Sequence, residues 1–161
     1  MPGRPPLILA VGALALTACT SGSEPTPKPT GPVAVPVPSA SASLVLSACR
    51  SLLASVPDEL DKGVRRRPVS GDATRTAAWG EPAVTLRCGV PLPDQTVTPL
   101  TIDGLPLVTD ERGAQVSYTT QDRAVNATVT VPKSYKDQAY LVLPLVAALK
   151  KLPAPDAAPG A

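Results

Sequence analysis

The sequence contains no histidine and no phenylalanine, and aromatic residues make up only 2% of its 161 positions. Histidine is the commonest general base and the commonest transition-metal ligand, so its absence disfavours both kinds of site. The scarcity of aromatic rings argues against a platform for stacked bases, and a formal net charge of +2 attracts nucleic acid only weakly. We therefore expect one domain of ordinary size, with no metal, no cofactor and no nucleic-acid partner.

The amino-terminal residues are typical of an exported lipoprotein. Arg4 is followed by a ten-residue apolar run at 7–16, which is too short to span a bilayer but has the length of a signal-peptide core. Small residues at 17–18 then precede Cys19, which resembles a bacterial lipobox. We predict that 1–18 are a signal peptide and that Cys19 becomes a lipidated amino terminus. The alternatives are an ordinary cleaved signal followed by a cysteine by chance, and an uncleaved anchor.

Proline divides the rest of the chain. Residues 20–41 contain six prolines, which remove backbone donors and favour an extended chain. We predict a lipidated cysteine and Pro-rich tether over 19–41, although a Pro-rich recognition ligand is an alternative. At about 3.1 Å per residue this tether would reach roughly 70 Å from the membrane. Residues 153–161 resemble a frayed tail, which leaves 42–152 as the domain. The predicted location is the outer face of the cytoplasmic membrane.

The domain begins with a predicted amphipathic helix. Ser43 can cap it, Pro57 closes it, and apolar residues recur between them at helical spacing. These residues are Val45, Cys49, Leu52, Leu53 and Val56. Residues 58–80 show no useful periodicity and are therefore predicted to form a long loop.

Alternating apolar residues then predict four strands, at 84–88, 105–109, 116–120 and 125–131. A final helix is predicted from Tyr135 to Lys151, and Pro144 either kinks it or begins a new helix. The predicted fold class is α+β: an antiparallel sheet of about four strands, with an N-terminal and a C-terminal helix packed on one face, and one disulfide.

The disulfide is predicted between Cys49 and Cys88. Both residues lie on the apolar face of their element, an exported protein meets an oxidising environment, and Cys19 is assigned to the lipid. Closing a loop of about 40 residues would stabilise the fold by about 4 kcal/mol. Two separate buried thiols are the alternative.

Two further clusters are candidate functional residues. Asp58, Glu59 and Asp61 could share a proton or bind calcium, but their position after a proline favours a solvated loop. The basic run Arg65, Arg66 and Arg67 could contact an anionic polymer, although a solvated loop is again the alternative. Trp79 could stack on a ligand or, as lone tryptophans more often do, plug the edge of the core. The three arginines and Trp79 are our candidate contact residues.

Several of these residues together resemble a known family. The pattern consists of Cys49-x-x-Leu52-Leu53, Leu60, Arg66-Arg67-Pro68-Val69 and, most specifically, AAWGEPAVTLRCGV at 77–90. It resembles the actinobacterial "domain of unknown function 3515" family over residues 45–150. The resemblance implies an actinobacterial envelope location and supports pairing Cys49 with Cys88. It transfers no catalytic residue.

These observations predict an envelope lipoprotein that is not an enzyme and that acts by contacting another envelope protein, with the membrane reached through its N-terminal lipid. A binding module for a lipid or cell-wall fragment is the alternative, and it needs a pocket between the sheet and the helices. A hydrolase using carboxylates or a serine is a third, weaker interpretation.

Overall fold

The computed structural model describes residues 31–93 and 99–155, and this part of the chain is mainly β. It has two helices, α1 (Ser43–Ser55) and α2 (Leu143–Leu149), with a 3-10 turn at Ala139–Leu141 before α2. The described strands are β1 (Val33–Ala34), β2 (Arg66–Arg67), β3 (Val69–Ser70), β4 (Thr76–Trp79), β5 (Val84–Val90), β6 (Leu100–Ile102), β7 (Leu105–Asp110), β8 (Gln115–Thr120) and β9 (Asn126–Pro132).

Seven of these strands form one antiparallel sheet in the order β2-β4-β5-β9-β8-β7-β6. At its centre, Val129 of β9 pairs with Leu86 of β5 on one side and with Tyr118 of β8 on the other. These three side chains share one face because directly paired residues point the same way. The remaining strands, β1 and β3, form a separate parallel pair.

The core lies on one face of the large sheet, beneath both helices. Alternate residues of β5, β8 and β9 supply its floor, and α1 adds Cys49, Leu52 and Leu53, which are at most 4% exposed. The other face carries threonine and serine, such as the Thr119 and Thr128 hydroxyls, which lie 2.7 Å apart. The apolar alternation therefore sets the register, since a slip of one residue would exchange the two faces.

The prediction of an α+β sheet of about four strands is wrong, because most of the missed strands lie where alternation is absent. Residues 58–80, predicted as a loop, contain β2, β3 and β4. All four residues of β4 are buried, and only Thr76 among them is polar, so its sequence does not alternate. The strands β2 and β3 have two residues each and β6 has three, too few to establish a period. The four strands that were predicted correspond to β5, β7, β8 and β9.

The helical predictions fare better. The α1 helix contains the predicted buried residues Cys49, Leu52 and Leu53. The prediction that Ser43 caps it is wrong, because Ser43 is already helical, Ala42 is the N-cap and no side chain bonds to the helix end. At the carboxyl end, a 3-10 turn precedes a short helix, in place of one helix over 135–151. Pro144 lies in the first turn of α2, where its missing N–H costs no helical hydrogen bond. Pro144 therefore begins a new helix. Within the described ranges, no helix is long and apolar enough to cross a membrane.

Part of the predicted tether contacts the domain. Val33 donates its backbone N–H to the Pro68 carbonyl over 2.9 Å, and Val35 is only 4% exposed. Arg87 of β5 donates from Nε to the Pro36 carbonyl over 3.0 Å. The signal peptide, Cys19 and the first part of the tether lie outside the described residues, as do residues 156–161 of the tail.

Candidate functional site

The structure separates the three predicted contact arginines. Arg65 is the most exposed, with 79% of its side chain accessible, and its Nε lies 3.6 Å from Glu59. Arg67 is half-buried, donates to the Gly80 carbonyl over 3.0 Å and pairs with Glu81. The run does not form one basic surface, because Arg65 and Arg67 contact different carboxylates and Arg66 lies near the Trp79 ring.

Trp79 is fully buried and donates its indole N–H to the Pro57 carbonyl over 2.9 Å. The Arg66 guanidinium lies 5.9 Å from the centre of the ring, within the range of a cation–π contact. Of the four candidate contact residues, these two are therefore brought together. The indole closes the core under the end of α1 and offers no exposed ring to a partner.

The Cys49–Cys88 disulfide is present, which confirms the predicted pairing. Both cysteines are fully buried. The bond joins α1 to β5, so it links the helical layer to the centre of the sheet. Cys19, the predicted lipidation site, lies outside the described residues.

The acidic cluster at 58–61 is used within its own loop. Glu59 accepts from the Gly63 N–H over 2.8 Å, and Asp61 accepts from the Lys62 N–H over 2.8 Å. Short-range bonds of this kind shape turns. Within the part of the chain that the structure describes, no group of three or more His, Cys, Asp or Glu side chains is placed to hold a metal.

A groove at the β6 edge of the sheet is the strongest candidate site. It has a volume of about 600 Å³. One wall consists of β6 and the turn after it, and the other consists of 136–140 and Leu143. Five large apolar side chains in the described residues are exposed, and three of them line this groove: Leu100, Tyr140 and Leu143. A concentration of exposed apolar side chains in one concave place marks a contact surface.

The groove exists because the helical layer does not reach the edge of the sheet. Leu100 and Ile102 of β6 pair with Leu107 and Leu105 and so belong to the core face. Ile102 is 7% exposed, whereas Leu100 is 39% exposed. The apolar face of the sheet therefore extends beyond the part that α2 covers. Among the described strands, β6 pairs only with β7.

The wall at 136–140 is held in place by the loop before it. The Tyr135 hydroxyl donates to the Pro82 carbonyl over 2.8 Å, and the Gln138 amide donates to the carbonyls of Lys133 and Tyr135. Burial, reinforced by the nearby Glu81 carboxylate, raises the pKa of Tyr135 above its usual value. A second cavity of about 260 Å³ adjoins the groove, since Lys136, Asp137 and Tyr140 line both.

Charges of both signs surround the groove. Asp103 lies at one end and accepts from the Lys150 ammonium over 3.2 Å, while Lys136 and Asp137 lie on the opposite wall. Tyr118 forms part of the floor, and burial raises its pKa, with a further contribution from Glu111. The site is therefore apolar inside and close to neutral at its rim.

This site was not among the predictions, although the sequence contains a signal for it. The helix predicted over 135–151 contains the apolar run 141–149, and such a run is expected to be buried. In the structure Leu145, Val146 and Leu149 are buried, but Leu143 is 42% exposed and Tyr140 is 56% exposed. A helix that is apolar on all sides needs contacts on all sides, and the core covers only one of them.

A trough on the opposite face of the sheet is less suited to binding. It is lined by Arg87, Arg112, Asp110 and the hydroxyls of β8 and β9. Its polar groups already have partners: Arg112 pairs with Asp110, and the Ser117 and Thr130 hydroxyls lie 3.0 Å apart. A ligand there would have to replace existing hydrogen bonds, with little net gain.

Comparison with known proteins gives one match. The family model described as "Protein of unknown function (DUF3515)" matches residues 5–157. No curated protein matches the chain, and no solved structure matches it.

Proposed function

The chain belongs to the DUF3515 family of proteins of unknown function, and we propose that it is a non-catalytic, lipid-anchored protein of an actinobacterial cell envelope that binds a protein partner. The partner presents an extended segment to the groove at β6. This proposal places the protein on the outer face of the cytoplasmic membrane, with Cys19 as its lipidated residue.

The observation that carries the proposal is the position of the groove beside an open strand edge. Within the described residues β6 has a hydrogen-bonded neighbour on one side only, so its other side presents backbone donors and acceptors. A peptide that adds as a further strand gains main-chain hydrogen bonds from the edge and specificity from a neighbouring pocket. The apolar groove that Leu100, Tyr140 and Leu143 line is such a pocket.

The near-neutral rim supports a segment with apolar side chains and little net charge. Asp103 is already paired with Lys150, and Lys136 and Asp137 offset each other in charge on the opposite wall. A strongly charged segment would meet one favourable and one unfavourable charge on each wall. An apolar segment gains from the exposed lining, at about 25 cal/mol for each Å² of apolar surface removed from water.

Export and anchoring are supported by the sequence at 1–19 and by the buried disulfide. Structural disulfides persist in oxidising compartments and are rare in the cytosol. Cys19→Ser should abolish lipid labelling and release the protein from membranes, and the Cys49–Cys88 bond should be unaffected. Persistent lipid attachment in Cys19→Ser would contradict the assignment of Cys19.

The groove is tested by crosslinking in cells. A photoreactive residue is placed at Thr101, which lies on β6 and lines the groove, in the full-length protein. Leu143→Asp puts a charge into the apolar lining, and Ala147→Asp puts the same charge on an exposed position of the same helix. We expect a defined protein crosslink that Leu143→Asp removes and Ala147→Asp retains.

Two results would contradict this function. A crosslink of equal yield in Leu143→Asp and Ala147→Asp would show that the groove does not make the contact. Recovery of lipid or wall polymer at Thr101 without a protein would replace the proposal with the alternative of a lipid or cell-wall binding module.

A further inference from the structure

The end of the Pro-rich segment is fixed against the domain. We call residues 31–38 the strap. Its β1 residues pair in parallel with β3, so that Val33 is opposite Val69 and Ala34 is opposite Ser70. Within the strap, Val35 is 4% exposed and Pro38 is also buried. Such low exposure is typical of core residues. The strap is therefore packed as part of the fold.

Three residues of the domain hold the strap by hydrogen bonds. The Pro68 carbonyl accepts from Val33, Arg87 of β5 donates to the Pro36 carbonyl, and Arg67 of β2 donates from Nη2 to the Gly31 carbonyl over 3.0 Å. Both arginine bonds are charge-assisted, which makes them stronger than neutral ones. Proline suits this arrangement, because it keeps its carbonyl acceptor while lacking a donor that would need a partner.

The strap begins at one edge of the sheet, and the groove lies at the other. Gly31 is bound to Arg67 of β2, the first strand in the order of the large sheet, whereas the groove is beside β6, the last. Six strand intervals separate these edges. At about 4.8 Å per interval the groove is about 29 Å from the edge at which the strap begins.

We propose that the strap makes the β2 edge the side of the domain that faces the membrane and leaves the β6 groove facing outward to the partner. This inference rests on the proposed lipid anchor at Cys19. Between Cys19 and Gly31 there are 11 residues, whereas 22 residues separate Cys19 from Ala42. At about 3.1 Å per residue, docking of the strap shortens the maximal reach from about 68 Å to about 34 Å.

Energy transfer from Trp79 tests this arrangement in the full-length lipidated protein. Trp79 is the single tryptophan, and it lies on β4 beside β2, so it reports on the proposed membrane-facing edge. The protein is reconstituted in vesicles that carry a dansyl-labelled phospholipid as acceptor. Val35→Asp buries a charge and should release the strap, and Ala34→Asp adds the same charge at an exposed neighbouring position as the control.

We expect Val35→Asp to show less energy transfer from Trp79 than wild type, because the maximal reach of the chain after Cys19 rises about twofold. Ala34→Asp should keep the wild-type energy transfer. Faster proteolytic cleavage within residues 31–38 verifies release in any of the variants, since the docked strap is held to the domain by hydrogen bonds at Gly31, Val33 and Pro36. If Val35→Asp does not fold, Val33→Pro removes the Val33 N–H donor without burying a charge. Unchanged transfer in a variant whose strap is released overturns the proposal.

The anchor and the strap fail in different ways. If the amino-terminal peptide of the wild-type protein carries no acyl group, the proposed lipid anchor is overturned. The proposal that the β2 edge faces the membrane is then overturned as well. An acylated peptide together with unchanged transfer on release overturns the role of the strap alone and leaves the anchor intact.

Discussion

At the scale of single residues, the clearest electrostatic effect lies in the turn between β7 and β8. The Arg112 side chain and backbone N–H both bond to Asp110, and they lower the pKa of that carboxyl to about 2. The arginine side chain is 75% exposed, so we expect only a small contribution to stability. The effect of Arg112 is therefore better measured as a change in the pKa of Asp110 than as a change in stability.

We predict that Arg112→Ala raises the pKa of Asp110 toward its usual value of about 3.9, stopping short of it because the backbone N–H at 112 remains. A carboxyl with a lowered folded pKa stabilises the fold above its unfolded pKa. Its contribution is therefore lost as pH falls from about 4 to about 2. Carbon-detected NMR titration of the carboxyl measures this pKa, with Arg65→Ala as the control. An unchanged Asp110 pKa in Arg112→Ala would contradict the assigned cause.

Trp79 shows what residue identity alone could and could not predict. The alternative that it plugs the edge of the core agrees with its full burial and its bond to Pro57. The sequence could not predict that the Arg66 guanidinium lies near its ring. That contact depends on β2 pairing with β4, in which Arg66 is opposite Trp79, and β2 is too short to be recognised from two residues.

At the scale of elements, the disulfide links the two layers of the core. It joins cysteines 39 positions apart, and both ends are fully buried, one in α1 and one in β5. The bond restricts the unfolded chain, and the segment it encloses contains β2, β3 and β4. These short strands have few contacts of their own, so we expect them to depend most on the restriction.

We predict that Cys49→Ala/Cys88→Ala lowers the free energy of unfolding by about 2–5 kcal/mol, as measured by urea denaturation. Hydrogen exchange should rise more in β2 and β4 than in β8 and β9. The matched control is the wild-type protein after reduction, which should lose a similar free energy. A double variant as stable as the oxidised wild type would contradict this role.

Elements with a clear period were predictable, and those shaped by their surroundings were not. Residues 125–131 alternate cleanly because β9 is central, with one face in the core and the other against polar neighbours. The β4 residues are buried on both sides and lose the alternation. The groove needs β6 and Tyr140 together, and their proximity follows from the strand order, which local periodicity does not encode.

At the scale of the whole molecule, the strap and the groove lie at opposite edges of the large sheet. The β2 edge receives the strap, and the β6 edge carries the groove. The seven strands form one continuous antiparallel sheet. The distance between its two edges is therefore set by the width of the sheet and not by a flexible linker. The proline content of 20–41 predicted an extended chain, but it could not predict which part of that chain docks.

The strap should therefore contribute to folding as well as to position. We predict that a chain beginning at residue 42 is less stable than one beginning at residue 31, by about 2 kcal/mol or more in urea denaturation. Burial of the Val35 side chain alone is worth about 1.5–3 kcal/mol, and each lost hydrogen bond adds about 0.5–1.5 kcal/mol.

The same comparison distinguishes a strap from a passive linker. Removing solvated residues changes stability by less than about 0.5 kcal/mol, so equal stability of the two chains would show that residues 31–41 only pass over the surface. A loss that Val35→Asp reproduces in the longer chain, and Ala34→Asp does not, would locate the effect at the buried side chain. The domain would then begin at the strap, twelve residues before α1, and the length left to the proposed membrane anchor would be set by the fold itself.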